Sequence, residues 1–167
     1  MVMMESAQRG MTGLARLERS DGEALRRFFY RLSPQTVYRR FLSPIVRPDQ
    51  LAHQRLLEVD GSTRQAVVAV QDGEIIGVAR YTIDAGRPSV AELAVVVADA
   101  WQGHGIATRL LAALAELARA AGVEQFSVVT QGDNRAALGL VRLLSPEAHL
   151  VFAGGGLYEG SVPLRAA

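Results

Sequence analysis

The chain has 167 residues, a formal net charge of +1 and no cysteine, and 49% of its residues are hydrophobic. This length and composition are typical of one globular domain with a single core. A net charge this close to zero argues against a protein that coats nucleic acid, and without cysteine no disulfide or thiolate metal site can form. The histidines His53, His104 and His149 show no metal-ligand spacing, so we expect no metal.

The ends and the hydropathy of the chain give a second set of expectations. No uncharged stretch approaches the length of a membrane span, and the N-terminus lacks the features of a secretion signal. We therefore expect a cytoplasmic protein with neither a membrane nor a nucleic acid as its partner. Residues 1–12 have no hydrophobic periodicity, so we expect a disordered leader before one domain at 13–167.

Hydrophobic periodicity and turn residues divide the domain into strands and helices. In chain order, strands are predicted over 13–18, 65–70, 74–83, 90–98, 125–130, 148–153 and 157–162. Helices are predicted over 20–32, 33–42, a short stretch from Pro48, 105–121 and 134–144. Ser20 or Asp21 should cap the first helix, with Glu23 completing a capping box if the cap is Ser20. This order predicts a mixed α/β sheet with helices on both faces.

A glycine-containing loop connects the fourth strand to the long helix. Its sequence is Gln102-Gly103-His104-Gly105-Ile106-Ala107. A helix N-terminus presents unpaired backbone N–H groups and a partial positive charge, and a glycine carries no side chain that would keep a ligand away from them. The loop therefore predicts a phosphate or pyrophosphate site.

Two common phosphate-binding motifs do not fit this loop. A P-loop would need Lys-Ser or Lys-Thr after its last glycine, but Ile106 and Ala107 follow Gly105. A dinucleotide loop would have a glycine at Thr108 and an acid at the end of the next strand, whereas Glu124 lies at that strand's beginning. A ligand-free turn and a fragment of a nucleotide-binding oxidoreductase remain as alternatives.

The strand and loop together match a known pattern. Glu-x-Ala-Val-Val-Val at 92–97 precedes Gln-x-x-Gly-x-Ala at 102–107. This resembles the acetyl-CoA signature of the GNAT N-acetyltransferase superfamily, and the element order resembles the GNAT layout over roughly residues 14–164. The resemblance implies a single GNAT-like α/β domain whose mixed, mostly antiparallel sheet has about six or seven strands and splayed central strands.

The resemblance also implies an activity, which is the acetyl-CoA-dependent transfer of an acetyl group to a primary amine. The acceptor would be a protein lysine or a small molecule, attacked directly in a ternary complex with the cosubstrate acetyl-CoA. The alternative is a catalytically silent acyl-CoA-binding sensor or interaction module. The final strands of GNAT subunits commonly pair, so a homodimer is a further expectation.

The resemblance assigns cofactor-binding residues. The backbone of Val95 to Val97, Val96 included, would bind pantetheine like an added strand in the gap between the splayed strands. Asn134 would contact CoA, although it or Asp133 may simply cap the following helix. The pyrophosphate would be held by Gln102, Gly103, His104, Gly105, Ile106, Ala107 and Thr108.

Glu92 is the candidate general base. An amine is protonated at neutral pH and must lose a proton before it attacks a thioester. A carboxylate in a partly dry cleft is a suitable acceptor, because burial raises the pKa of such a group. Glu92 matches the glutamate that many GNAT enzymes use for this step. The alternative is an exposed strand residue paired with an arginine.

The general acid of the family has no counterpart here. GNAT enzymes often carry a tyrosine seven residues after the asparagine, and this position is Val141. Ser145-Pro146 replaces the usual Gly-Phe. Tyr158 or a water molecule could protonate the leaving thiolate, so we assign no general acid. This departure is the main support for the sensor alternative.

A second motif precedes the sheet. Leu-Ser-Pro-x-x-x-Tyr-x-Arg-Phe at 32–41 resembles the opening of GNAT domains in bacterial Pat-type protein-lysine acetyltransferases. The surrounding region is also basic. Its arginines are either solvated helix faces or a rim that attracts an acidic substrate or the 3′-phosphate of CoA. They are Arg26, Arg27, Arg31, Arg39, Arg40 and Arg47.

Overall fold

The computed structural model describes residues 12–42 and 56–165. Its seven strands form one sheet in the order β1-β2-β3-β4-β5-β7-β6. All neighbours are antiparallel except β4 and β5, which are parallel. The strands are β1 Gly13–Arg16, β2 Arg64–Gln71, β3 Glu74–Asp84, β4 Arg87–Val97, β5 Gln125–Gln131, β6 His149–Gly154 and β7 Leu157–Pro163. This sheet confirms the predicted fold class.

Four α-helices are described: α1 Gly22–Tyr30, α2 Pro34–Phe41, α3 Ile106–Ala120 and α4 Arg135–Leu144. Single-turn 3-10 helices cover Arg19–Asp21 and Asp99–Trp101. None of the helices in the described part of the chain is long and apolar enough to cross a bilayer. The predicted leader, apart from Thr12, and the helix predicted from Pro48, apart from Leu56 and Leu57, lie outside the described residues.

The start of the first helix differs from the predicted capping box. The chain enters a 3-10 turn first, and the backbone N–H of Glu18 donates to Asp21 Oδ2 at 2.8 Å. Asp21 is the N-cap of α1, which therefore begins at Gly22. Asp21, one of the two predicted caps, is confirmed, and the box that depended on Ser20 as the cap does not form; the capping box present joins Glu18 and Asp21 around the 3-10 turn.

Side-chain alternation along the strands produces a separate core on each face of the sheet. The core under α1 and α2 contains Leu25, Phe28, Val68, Val78 and Val96. The core under α3 and α4 contains Ala79, Leu110, Leu114, Phe126 and Val141. The two cores confirm that helices cover both faces of the sheet.

The central strands splay apart. The parallel ladder between β4 and β5 has the pairs Val90↔Gln125, Ala91↔Phe126 and Glu92↔Ser127, and it ends there. From that point β5 continues only with β7, as far as Gln131↔Leu157. The second half of β4 therefore has an open edge, as the resemblance implied.

The register shows which peptide groups line this open edge. The N–H of Ala98 donates to Ile76 O at 2.8 Å on the β3 side, and Glu124 donates to Ser89 O at 2.8 Å on the β5 side. Because the ladder alternates, even-numbered peptide groups of β4 bond β3 and odd-numbered ones face β5. The odd-numbered groups beyond the ladder are those of Leu93, Val95 and Val97.

Close packing places α3, and with it the glycine loop, at the end of β4. Gly77 lies on β3 beneath α3, and a Cβ there would come within 2.9 Å of Leu110 Cδ1 and 3.3 Å of Ile106 Cγ2. Only glycine lets the first turns of α3 approach β3 this closely. The helix N-terminus is thereby held against the open edge.

Candidate active site

A cavity of about 410 Å³ lies at the open end of the splay. Its walls come from the second half of β4, the loop before α3, the first turns of α3 and α4, and one side of α2. Of the predicted cofactor-binding residues, those that line it are Val95, Val96, Val97, Gln102, Gly103, Gly105, Ile106, Ala107, Thr108 and Asn134. One cavity thus brings together residues that the chain separates widely.

His104 is the predicted cofactor-binding residue that does not line the cavity. It is exposed, its Nδ1 lies 3.0 Å from Gln102 O, and its ring centroid is 5.9 Å from that of Trp101. The loop turns its side chain outward. Within the described residues no group of three or more His, Asp or Glu side chains could hold a metal.

The loop conformation requires its glycines. Gly103 has φ 77° and Gly105 has φ 76°, and a Cβ at either position would meet nothing within 4 Å. The requirement is therefore for left-handed backbone, not for space. Gly105 is the N-cap of α3 and supplies no capping side chain, and the first helical bond is Arg109 N–H to Gly105 O at 3.2 Å. The N–H groups before that bond belong to Ile106, Ala107 and Thr108.

Asn134 contributes the second helix N-terminus of the cavity. Its Oδ1 accepts from the backbone N–H of Ala137 at 3.2 Å, so the capping role is present. This bond occupies the carbonyl oxygen and leaves the amide NH₂ group of the side chain to other partners. Capping α4 and binding a ligand are therefore compatible roles for Asn134.

Asp99 ties α2 to the end of β4, a feature that the sequence analysis missed. Its Oδ2 accepts from Ser33 N–H at 2.9 Å, and its Oδ1 accepts from Ser33 Oγ at 2.6 Å and Thr36 Oγ1 at 2.7 Å. Burial alone would raise the pKa of Asp99, but these hydrogen bonds outweigh it and hold the pKa below its ordinary value. The partners are up to 66 positions apart, so no local pattern could reveal the link.

Gln102 connects the loop to both neighbours. Its Nε2 donates to Val97 O at 3.1 Å and to Thr36 Oγ1 at 3.3 Å. The carbonyl of Val97 is therefore already bonded, whereas its N–H and both polar groups of Val95 face the gap. Val96 lines the cavity, but its peptide groups face β3, opposite Val78. Val95 and Val97 are thus the residues with peptide groups oriented toward a ligand strand.

Glu92 lies at the last β4–β5 pair, and its side chain is exposed. Within the described residues, the partly dry cleft expected around this carboxylate is therefore not found. Within the described residues it forms no ion pair with an arginine, which was the alternative interpretation. Its charge acts on Arg40 of α2 and Arg80 of β3, and burial and then Arg80 lower the pKa of Arg40 to about 10.

The other basic residues divide into two groups. Arg27 and Arg31 bond Glu74 Oε2 at 3.3 and 3.0 Å and fasten α1 to β3. Arg39 and Arg40 instead line the cavity. The structure thus separates arginines that stabilise the fold from arginines that face the site. Arg47 lies outside the described residues.

The residues considered as general acid do not reach the cavity. Val141 lies on the buried side of α4, with 6% of its surface exposed. Tyr158 is half-buried on β7, where its ring contacts that of Phe152 at a centroid distance of 5.6 Å. Neither residue lines the cavity. No tyrosine of the described residues lines the cavity.

Comparison with known proteins gives the family. The model of the acetyltransferase (GNAT) family matches residues 24–144. The chain belongs to this family. Acetyltransferase PA5475 of Pseudomonas aeruginosa is 34% identical over 155 residues, which cover 86% of this chain and 83% of that protein. The predicted family and the predicted enzyme class, an N-acetyltransferase, are confirmed, and the oxidoreductase alternative is set aside.

Pat proteins are among the relatives of this chain. Acetyltransferase Pat of Mycolicibacterium smegmatis is 34% identical over 106 residues, which cover 62% of this chain and 32% of Pat. This GNAT chain therefore spans about a third of that relative. The GNAT domain of S. lividans PAT superposes with a TM-score of 0.82 at 26% identity, covering 93% of this chain and 92% of that one.

The acetyltransferase fold also occurs in a structure that contains acetyl-CoA. YncA of Salmonella typhimurium, solved with this cofactor, has a TM-score of 0.67 over 93% of this chain and 95% of its own. Identity is 18%, so this likeness concerns the fold alone.

Proposed function

We propose that this GNAT protein binds acetyl-CoA and transfers its acetyl group to a primary amine by direct attack in a ternary complex. The observation that carries the proposal is the cavity where the open edge of β4 meets the uncapped N-terminus of α3. An unpaired strand edge suits an amide-containing arm, and an uncapped helix end suits a phosphate. Pantetheine and the CoA pyrophosphate have these two chemistries.

The direction of β4 orients the cosubstrate. The pyrophosphate would bind the N–H groups at 103–108, with the amide of Asn134 as a further donor. Pantetheine would extend along β4 past Val97 and Val95. Continuing in this direction brings the thioester toward Glu92. Measured along the strand, Glu92 lies about 17 Å from Val97. The acetyl group would then lie at the end of the cavity nearest the β4–β5 ladder.

The chemistry needs one proton acceptor and one polarising group. Glu92 takes a proton from the ammonium, directly or through water, and the amine attacks the thioester carbon as the C–S bond breaks. The N–H of Val95 donates to the carbonyl oxygen, where negative charge develops. The thiolate leaves and is protonated through water, which also accepts the second proton that the nitrogen loses as the amide forms, so the net proton released is the one taken by Glu92. The chain contains no cysteine, and we expect no covalent acyl-enzyme.

A second candidate is an acyl-CoA-binding sensor without catalysis. It is favoured by Val141, which is buried where the family usually places its tyrosine. The two candidates share the cavity and differ only in turnover. The cytoplasmic location, the choice between a protein lysine and a small amine, and a homodimer through the final strands are also predictions.

Glu92→Gln separates the candidates. We expect kcat/KM to fall about 100- to 10,000-fold, because the amide cannot accept the proton. The dissociation constant for acetyl-CoA, measured by calorimetry, should not change, because Glu92 lies outside the cavity lining. Glu124→Gln is the matched control, since Glu124 is exposed and lies just before the β4–β5 ladder, outside the cavity lining.

Three results would contradict parts of the proposal. If the wild-type protein binds acetyl-CoA but acetylates no amine in a broad panel, the sensor candidate is correct. If Glu92→Gln retains the wild-type rate, the protein is an acetyltransferase with another base. If calorimetry detects no binding of acetyl-CoA, the cavity has a different ligand.

A further inference from the structure

Helix α2 lies along β4 in the opposite direction. At its N-terminal end Ser33 bonds Asp99, which follows β4, and seven residues later Arg40 interacts electrostatically with Glu92 at the beginning of the splay. The cavity therefore has two ends. The glycine loop marks the end proposed for the pyrophosphate, and Arg40 marks the end proposed for the acetyl group and the acceptor.

The guanidinium of Arg40 is held in place at this acceptor end. Arg40 is half-buried on the cavity wall, and its Cζ lies 4.7 Å from the ring centroid of Phe41. Phe41 is itself fixed by Phe29, with a centroid distance of 5.8 Å. A cation over an aromatic face is stabilised and restricted in its motion. Arg40 forms no ion pair with any described residue.

A second arginine lies close to Arg40 without lining the cavity. Arg80 on β3 pairs with Ala94, so it lies on the same sheet face as Glu92 and diagonally across from it. Burial is the main reason for the lowered pKa of Arg40, about 10, and the charge of Arg80 comes next. Both guanidinium groups stay protonated at neutral pH. Arg80 also lies in the field of Arg64 and Glu58, so the cation that faces the cavity at this end is Arg40, and it attracts an anion there.

We propose that the acceptor is an amine with a carboxylate close to its amino group, and that Arg40 binds this carboxylate while Glu92 accepts the amine proton. This inference rests on the proposed function. A guanidinium offers a planar pair of donors that matches a carboxylate. A free amino acid and a protein lysine beside an acidic residue would present the same two groups.

Matched acceptor pairs test the inference. The first pair is β-alanine and β-alaninamide, and the second is two peptides in which one lysine follows either aspartate or asparagine. We expect the carboxylate member of at least one pair to have a kcat/KM about 10- to 100-fold higher. The pair that shows the preference identifies the source of the acceptor.

Variants connect the preference to Arg40. Arg40→Gln should remove it by lowering kcat/KM for the carboxylate member, and Arg40→Lys should keep part of it because the charge remains. Arg26→Gln makes the same charge change on an exposed arginine of α1 and should leave the ratio unchanged. A thermal melt of each variant checks folding, and the ratio within one variant does not depend on the fraction that is folded.

The experiments distinguish a failure of this inference from a failure of the proposed function. If wild-type protein acetylates amines with a ratio near one in both pairs, the inference is wrong and the proposed function stands. If Arg40→Gln weakens binding of CoA but not of 3′-dephospho-CoA, Arg40 binds the 3′-phosphate and the inference is also wrong. If acetyl-CoA binds and no amine is acetylated, the proposed function fails and the inference fails with it.

Discussion

Gly105 has φ 76° directly before α3, a conformation that residues with a Cβ rarely adopt. Gly105→Ala should therefore strain the loop by about 1–2 kcal/mol and turn the amide groups away from the pyrophosphate. We expect the affinity for acetyl-CoA, measured by calorimetry, to fall about tenfold or more. Gly61→Ala is the control, because Gly61 has φ 75°, has open space at its Cβ and does not line the cavity.

The two variants should lower the melting temperature to a similar extent, but only the loop variant should lose affinity. Equal affinity in Gly105→Ala and the wild type would show that the amide groups at the start of α3 do not hold the ligand. A loss of affinity in Gly61→Ala would instead assign the effect to general destabilisation.

At the residue scale, the sequence identified side chains whose role follows from local backbone. Gly103 and Gly105 were predictable because a glycine loop after a strand and before a helix has few conformations. Asn134 was predictable for a similar reason, and its capping bond is local in the chain. His104 was included only through its position in the motif, and the loop turns it outward. Asp99 and Arg40 were missed or left ambiguous because their partners are distant in sequence.

At the scale of elements, α2 is positioned by one carboxylate, and Asp99→Asn tests this. The variant weakens three hydrogen bonds to Ser33 and Thr36, and we expect it to lower the free energy of unfolding by about 1 kcal/mol at pH 7. Because a displaced α2 would move Arg40 at the acceptor end and Thr36, the partner of Gln102, at the loop end, KM for the amine and the dissociation constant for acetyl-CoA should both rise. Urea unfolding and steady-state kinetics measure the two effects.

The stabilisation by Asp99 should depend on pH in a defined direction. Its hydrogen bonds hold the folded-state pKa below the unfolded value, which is about 3.9, despite the opposing effect of burial. The wild type should therefore exceed Asp99→Asn in free energy of unfolding by the full amount above pH 4. This difference should shrink as the pH falls below 4. Asp84→Asn is the control: hydrogen bonds from Arg87 and Gly86 hold the pKa of Asp84 low, but Asp84 lies at a turn outside the cavity. It should show the pH trend without the change in KM.

The elements themselves were largely predictable, and their ends were not. The seven strands follow from alternation and turn residues, and the hairpin at Asp72-Gly73 has the positive φ values of 50° and 78° that such a turn needs. Strand β4 begins at Arg87, earlier than predicted, because pairing with Asp84 continues the ladder through polar residues. The antiparallel course of α2 along β4 had no signal in the sequence, since long-range contacts alone determine it.

The whole molecule contains 18 basic residues of the Lys and Arg types, and every one is arginine. A lysine amine can lose its proton and attack a thioester, whereas a guanidinium stays protonated and delocalised. An α-amine is therefore the one primary amine of this sequence, and no side-chain amine is present for the protein to acetylate.

This composition makes direct transfer testable on the intact protein. Incubated with acetyl-CoA at about pH 8, with or without an acceptor, the wild-type chain should gain at most one acetyl group, at the α-amine, as measured by mass spectrometry. Arg87→Lys is the control, because it adds one amine at an exposed position and shows how fast acetyl-CoA modifies a lysine on this surface. Direct attack would be contradicted if an internal residue of the wild type became acetylated during incubation with acetyl-CoA and lost the acetyl group when an amine was added. Such a group would be a covalent intermediate, and the residue carrying it would replace Glu92 as the centre of the mechanism.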